Sequence, residues 1–387
     1  MTAKLEDADA LCGGMIARLL RREDLSEEES WRMFRLILDD KPAELQQGAF
    51  LAALTAKGET AAEIAGGWRA VDELDTIHPP IACHESLLDT CGTGMDSCKT
   101  FNISTLASLL AAAAGARIAR HGARAITSRC GTVDLLERLG VDCQCPAALV
   151  AASIERAGIG LFNGMSQEVH PRHIGRLLQK IRFGSPLNLV ASLANPARPG
   201  RGLRGVHSPH LLRPVAEAMM KIGYRRALVV CGGVAADNNL HMDEVSVCGL
   251  TRAVLAIDGV LEEFSFTPEE FGISRFPHTA LAPAPTLDAA ARSAMAILAG
   301  RGAAAREAMS EAVALNAAFI IWLDQRAASI AEALAISREL LAAGAGLKVL
   351  RAWVAVQQRR PPEGLAIFDR LRAELGDLSA QAGGGGL

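Results

Sequence analysis

The sequence lacks any uninterrupted apolar run of the ~18–20 residues that a membrane span requires. Its richest stretch, Leu106 to Ala119, is rich in Ala and broken by Ser108, Gly115 and Arg117. The first ten residues, MTAKLEDADA, do not show the basic and then apolar pattern of a signal peptide. A cytoplasmic protein without a membrane partner is expected. No two of the nine cysteines have C-x-x-C spacing, and Cys143 and Cys145 stand too close to share one zinc in the usual pattern. In a reducing compartment all nine are expected as structural thiols. An excess of one charge is also missing: 40 Lys plus Arg against 43 Asp plus Glu leave -3. That balance disfavours a nucleic-acid partner, which calls for a basic domain or stripe. Lysine is scarce, at 7 of the 40 basic residues; the other 33 are Arg, the better bidentate partner for phosphate. Walker-type Gly-Lys-Ser/Thr, a G-x-G-x-x-G fingerprint and any Ser-His-Asp or Cys-His signature are absent.

What is present is a chain of 387 residues, half of them apolar, long enough for two or three domains with real cores. Residues 1–75 read as helices. Ser26 with Glu29, and Thr60 with Glu63, have capping-box spacing, and Gly58 supplies a stop between two helices. The middle alternates short apolar runs with helical segments: Leu87-Leu88, Ala116 to Ala119, Arg226 to Cys231 and Ala253 to Ile257 as strands, Leu106 to Ala114 and Asp134 to Leu139 as helices. That alternation predicts an α/β domain with a mostly parallel central sheet flanked by helices. Residues 285–353 return to helical spacing. From Val354 the chain reads as an appended helix and a frayed, partly disordered tail ending in Gly383 to Gly386. The expected division is a small α-helical domain over 1–75, which part of 165–185 joins, an α/β domain over 76–353 and an extension over 354–387.

Three stretches carry chemistry. The first runs from Asp89 to Thr105 between a strand signal and a long helix. Gly92 and Gly94 let backbone amides approach a ligand, while Asn102, Ser104 and Thr105 stand where free amides and the helix dipole attract anions. Read blandly, the same stretch is a strand-to-helix turn capped by Ser104. The second, Arg120-His121-Gly122-Ala123-Arg124 followed by Thr127 to Thr132, gathers glycines, hydroxyls and arginines suited to a polyanionic phosphate. Alone it is equally a solvated basic turn. The third is Asp243-Glu244 after a strand; such a pair can hold Mg²⁺ beside phosphates, although an isolated pair is usually surface charge.

Taken together these blocks resemble the anthranilate phosphoribosyltransferase family. The resemblance spans roughly residues 10 to 353 and includes Lys57-Gly58-Glu59-Thr60, His170-Pro171, Asn195-Pro196-Ala197-Arg198-Pro199, Ser208-Pro209 and Thr267 to Gly272. It implies a helical domain and a larger α/β domain, homodimers through the helical domain, and Mg²⁺ as cofactor. The implied reaction moves a phosphoribosyl group from phosphoribosyl pyrophosphate to an aromatic amine, anthranilate in tryptophan biosynthesis. By motif position Gly92, Met95, Asp96, Thr100, Asn102, Ile103, Ser104 and Thr105 would hold the donor. Arg120, His121, Gly122, Ala123, Arg124, Ser128 and Thr132 would cover its phosphates, and Ser104, Asp243 and Glu244 would hold Mg²⁺. No residue is assigned as a nucleophile or general base, His121, His170 and His173 included.

One departure from the family pattern falls in the donor loop, where a side chain at 95 crowds the phosphate side, and the others fall on the acceptor side. Met95 stands where the family has Gly. Ala123 replaces an Asn that contacts anthranilate, and Gly184 replaces the Arg that pairs with its carboxylate. The wall from Phe162 to Pro171 is rebuilt. An unpaired carboxylate would cost on the order of 2–5 kcal/mol, so a changed acceptor is one expectation. The other is that Arg172, Arg176 or Arg182 restores the contact. Two further readings are a nucleoside phosphorylase on the same fold and a non-catalytic nucleic-acid-binding paralogue.

Overall fold

The computed structural model describes residues 7–83, 86–125, 130–181, 183–301 and 306–383. Four helices open the fold: α1 (Ala8–Leu20), α2 (Glu27–Leu38), α3 (Glu44–Lys57) and α4 (Ala61–Asp75). Next come β1 (Leu87–Gly92), α5 (Ile103–Ala113), β2 (Arg117–Gly122), α6 (Thr132–Arg138), α7 (Ala147–Ala157) and β3 (Ile159–Asn163). Two short helices, α8 (Ile174–Lys180) and α9 (Pro186–Leu193), precede β4 (Arg201–Gly205) and α10 (Leu212–Lys221). Four strands follow, β5 (Arg226–Val234), β6 (Asp237–Met242), β7 (Thr251–Ile257) and β8 (Val260–Phe266). The remaining helices are α11 (Leu287–Leu298), α12 (Glu307–Leu323), α13 (Ile330–Ala342), α14 (Ala345–Val356) and α15 (Pro361–Gly383). Among the described residues no helix is long and apolar enough to cross a membrane.

Local chemistry sets the first boundaries. Ser26 Oγ accepts the Glu29 N–H at 3.2 Å, and the Glu29 carboxylate accepts the Ser26 N–H at 2.8 Å. Two amides that no helical carbonyl can reach are thereby satisfied at the start of α2. Thr60 and Glu63 repeat the device at α4. The buried Glu63 carboxylate also takes the Lys57 ammonium at 2.9 Å and the Leu25 N–H at 2.9 Å. Gly58 ends α3 at φ +91°, a conformation that favours glycine.

The helical unit is not contiguous in sequence. Phe34, Phe50, Leu54 and Val71 pack with Ile174, Leu177, Leu187 and Val190, so α8 and α9 return to the opening helices. Asp75, the last residue of α4, fixes the return. Its buried carboxylate accepts the N–H groups of Arg172, His173 and Ile174 at 2.6–2.9 Å and so caps α8, which has no side-chain cap of its own.

The sheet has the order β3-β2-β1-β4-β5-β7-β8, with β6 beside β5. Strands β3 through β5 are parallel; β6 and β7 run antiparallel to β5, and β8 antiparallel to β7. This is the mostly parallel α/β sheet that the alternating sequence signals predict. Chain order reverses at β1: β2 and β3 are added on one side, β4 and β5 on the other. Helix α5 is apolar nearly all round and buried, packing against α12 and α14.

The C-terminal segment covers one edge of this sheet. Gln357 is fully buried; its amide donates to Leu161 O at 3.0 Å and accepts Leu161 N–H at 3.0 Å on the edge strand β3. Phe368, Leu371 and Leu375 of α15 join the main core, and Gly364 packs directly on Gly140. From Pro361 the chain is thus an integrated helix rather than an appended one.

Candidate active site

The carboxyl ends of β1 and β2 face a cleft beside the position where strand order reverses. Open parallel sheets bind ligands there because the adjoining connections diverge to opposite faces. The cleft is bounded by the loop after β1 with the first turn of α5, the loop after β2, Asp243-Glu244 after β6, and the segment entering α9. Carboxylates, a helix N-terminus and a glycine-rich loop thus meet from segments about 150 residues apart in sequence.

Two glycines make room for the acidic pair. Gly92 and Gly205 are register partners on β1 and β4. A Cβ on Gly92 would overlap the Asp243 carboxylate, and one on Gly205 would overlap the Asp243 carbonyl. Asp243 therefore rests on a floor bare of side chains, where its Oδ2 accepts the Gly94 N–H at 2.8 Å. Glu244 Oε1 accepts the Ser104 N–H at 3.0 Å. Helix α5 begins at Ile103 with Asn102 at its cap position, so Ser104 is not the cap; the trans carboxylate of Glu244 satisfies its amide instead. A negative group at a helix N-terminus is favoured by the dipole as well as by the hydrogen bond.

The acidic groups hold their protons more tightly than usual. Burial first, then the Asp96 charge, pushes Asp243 up to about 7. Burial and the Asp243 charge push Glu244 up to about 8. Burial also raises Asp96, whose Oδ1 takes the Lys99 ammonium at 2.9 Å. Among the described residues no three His, Cys, Asp or Glu side chains converge as a preformed cage. Mg²⁺ does not need one, since it is ordinarily held by one or two carboxylates together with substrate phosphates and water. Two buried carboxylates that form no ion pair among the described residues fit that demand.

The arginines of the second stretch have partners within the protein. Arg120 is 1% exposed and lies beneath the first turn of α5, donating to Ser104 O at 2.6 Å, Thr90 Oγ1 at 3.1 Å and Ser108 Oγ. Its Nη2 lies 3.3 Å from Ser104 Oγ. Its charge supports the helix mouth from below rather than reaching over it. Arg124 is paired with Glu137 at 2.6 Å and Asp134 at 3.0 Å. Below the cleft floor Arg204 and Asp89 form a fully buried ion pair at 2.6 Å.

Gly92, Met95, Asp96, Thr100, Asn102 and Ser104 line the cleft, as do Asp243 and Glu244. Arg120, His121, Gly122, Ala123, Arg124, Thr132 and Gly184 line it too. Ile103 and Thr105 do not: both side chains are 0% exposed and turn into the interior, leaving only their backbone for a ligand. Ser128, Arg129 and Arg182 lie outside the described residues. Sequence reading left Lys99, Phe183, Asn188 and Ser192 without a role, although all four line the cleft. Lys99 was legible as the one cation inside the first motif, whereas α9 contributes only through tertiary placement.

His121 Nε2 lies 3.1 Å from His170 Nε2, and His170 Nδ1 lies 2.7 Å from Asp75 O. Burial lowers both imidazoles. All nine cysteines are free. Burial pushes Cys91 and Cys130, beside the cleft, up to about 11, which keeps them as thiols rather than nucleophilic thiolates.

Known proteins share this fold. The α/β domain of a glycosyl transferase family matches residues 84–347, and the helical bundle domain of the same family matches residues 14–74. The anthranilate phosphoribosyltransferase of Rubrobacter xylanophilus is 36% identical over 350 residues, 89% of this chain and 98% of that one. Its counterpart from Sorangium cellulosum is 34% identical over 351 residues, 90% and 94% of the two chains. The crystal structure of the Thermus thermophilus enzyme superposes with a TM-score of 0.76 at 34% identity, over 89% of this chain and 99% of that one. The Saccharomyces cerevisiae enzyme in complex with PRPP and Mg has the same fold, with a TM-score of 0.76 at 22% identity over 90% of this chain and 98% of that one. The chain belongs to the anthranilate phosphoribosyltransferase family of glycosyl transferases.

Proposed function

We propose that this chain transfers the 5-phosphoribosyl group of phosphoribosyl pyrophosphate to the nitrogen of an aromatic amine and releases pyrophosphate. Anthranilate, for which the curated relatives are named, is the reference acceptor. The observation that carries the reading is the meeting of Asp243 and Glu244 with the Gly94 and Ser104 amides at the mouth of α5. The donor is polyanionic, and its C1–O bond breaks with carbocation character, so stabilising the departing pyrophosphate and positioning the amine are the main tasks.

The loop from Gly92 to Thr100 and the amides of 102–105 hold the phosphates. Arg120 adds positive charge from beneath, and His121 to Arg124 with Thr132 line the cleft beside them. Asp243, Glu244 and Ser104 hold Mg²⁺, which when bound supplies charge neutralisation for the leaving group. In this reading the helical unit of 1–75, with part of 165–185, is the body through which two copies pair. Leu20 and Leu45, 71% and 88% exposed, provide apolar surface there. The α/β body runs over 76–353, and the segment from 354 packs onto it through Gln357, Phe368, Leu371 and Leu375.

Calorimetric titration of phosphoribosyl pyrophosphate with Mg²⁺, and pyrophosphate release with anthranilate, test the proposal. Asp243→Asn with Glu244→Gln is expected to weaken Mg²⁺-dependent donor binding by about 2–3 kcal/mol, or roughly 30–150-fold. Unchanged binding would refute the metal assignment.

A further inference from the structure

Met95 is the strained residue of the cleft. It sits at φ +65°, in the left-handed region that a side chain with a Cβ resists. Strain of this kind persists only where the surroundings impose it, and it collects at functional sites. The conformation carries the thioether across the cleft from the donor loop to the segment entering α9. A Cβ on Gly184 would lie 3.0 Å from Met95 Cε and 3.3 Å from Cγ, with Sδ nearer still. The two positions thus share one volume. A side chain at 184 would expel the thioether, and the thioether excludes any side chain at 184.

Apolar side chains contribute to the same cleft. Leu178, Phe183 and Ala123 share the cleft with the pair. The nearby polar groups of α9 are committed locally: Asn188 Oδ1 accepts the Ser185 N–H at 3.1 Å, and Ser192 Oγ donates to Leu189 O at 2.8 Å. Among the described lining residues the cations are engaged as well: Lys99 with Asp96, Arg124 with Glu137, and Arg120 under α5. A thioether offers a polarisable contact to an aromatic ring but no hydrogen bond to an anion. A charged substituent placed against the thioether would lose hydration without gaining a hydrogen bond from it.

We propose that Met95 and Gly184 form one specificity-determining pair, which shapes the acceptor side of the cleft for an aromatic amine whose neighbouring ring substituent is uncharged. The inference rests on the phosphoribosyl-transfer reading and specifies its acceptor class. The pair acts as a unit because either residue alone is incompatible with a larger partner.

The experiment measures pyrophosphate release by the purified full chain with phosphoribosyl pyrophosphate, Mg²⁺ and three acceptors: anthranilate, anthranilamide and methyl anthranilate. The wild type is expected to use the neutral amide and ester with kcat/KM at or above that for anthranilate; preference for anthranilate overturns the proposal. Met95→Gly, which suits φ +65°, combined with Gly184→Arg is expected to shift the ratio about tenfold or more toward anthranilate. Gly184→Arg alone is expected to be less active than the double variant, because Met95 still fills the volume. A ratio unchanged in the double variant overturns the pairing. If these variants fail to fold, the wild-type acceptor order decides the proposal. Donor binding by calorimetry separates the two readings. Binding without turnover of any acceptor refutes the transfer reaction, and the order of acceptor affinities for the donor-bound protein then judges the pair.

Discussion

Gly205→Ala isolates the contribution of the cleft floor, because the residue lies on β4 outside the cleft lining. Its Cβ would fall 3.0 Å from Asp243 Cα, with the carbonyl carbon and oxygen nearer still. Backbone cannot rotate aside as a side-chain tip can. Asp243 would have to retreat by about 1–2 Å to restore ordinary contact. Such a retreat breaks the 2.8 Å bond from Gly94 N–H and carries Glu244 away from the Ser104 amide. Overpacking of this kind costs about 1–3 kcal/mol of stability. Misplacing positioned groups by about 1 Å costs on the order of a hundredfold in rate. Gly202→Ala is the control on the same strand: its Cβ would meet Tyr224 Cε1 at 2.8 Å and Met219 Cε at 3.1 Å, both in a buried side-chain cluster that includes no Asp243 atom. Both variants should lose Tm, but only Gly205→Ala should lose Mg²⁺-dependent donor binding and turnover. Calorimetry on folded protein reads the difference. A folded Gly205→Ala variant with wild-type donor affinity and rate would refute the floor as the device that places the acidic pair.

Three further outcomes follow from the geometry. Ser104→Ala should weaken donor binding by about five- to twentyfold with little change in Tm, because the amide that Glu244 accepts is retained and Asn102 occupies the cap position. Glu59, 9% exposed, is pushed up to about 7, by burial first and the Glu63 charge later. An acid whose folded value is raised destabilises the fold once pH exceeds its unfolded value near 4.5, and the cost is complete above about 7. Glu59→Gln should therefore gain Tm over wild type progressively across that window, worth about 1–3 kcal/mol at its upper end, and a flat difference would refute the assignment. Gln357→Leu should leave Leu161 N–H, Leu161 O and Trp353 Nε1 without partners. A loss of about 2–4 kcal/mol is expected, read from the urea midpoint.

Local chemistry was legible in the sequence wherever a few neighbouring residues complete a device. Ser26 with Glu29 and Thr60 with Glu63 cap the helices they precede, and strand alternation with helices yields a parallel sheet. That the loop after β1 lines a cleft was legible for the same reason, since its glycines and the helix it opens are contiguous. Long-range devices were not. Gly205 is one glycine among 36 until the fold lays Asp243 across it. Asp75 is the end of a helix until it caps α8 some 97 residues later. Ser104 looked like a cap because the sequence cannot show that Glu244 reaches its amide from 140 residues away. Arg120 looked like a phosphate clamp because composition does not disclose which face of β2 a side chain takes.

The amide of Gln357 has a meaning beyond the hydrogen bonds it completes. An edge strand with free amides and carbonyls is a template on which another chain can build. Here β3 presents that template at Leu161, and one buried side chain occupies it as a strand of unit length would. The C-terminal segment thus acts as a terminator for sheet growth, and a chain shortened before Gln357 would expose β3 as a nucleus for edge-to-edge aggregation even if its cleft were intact.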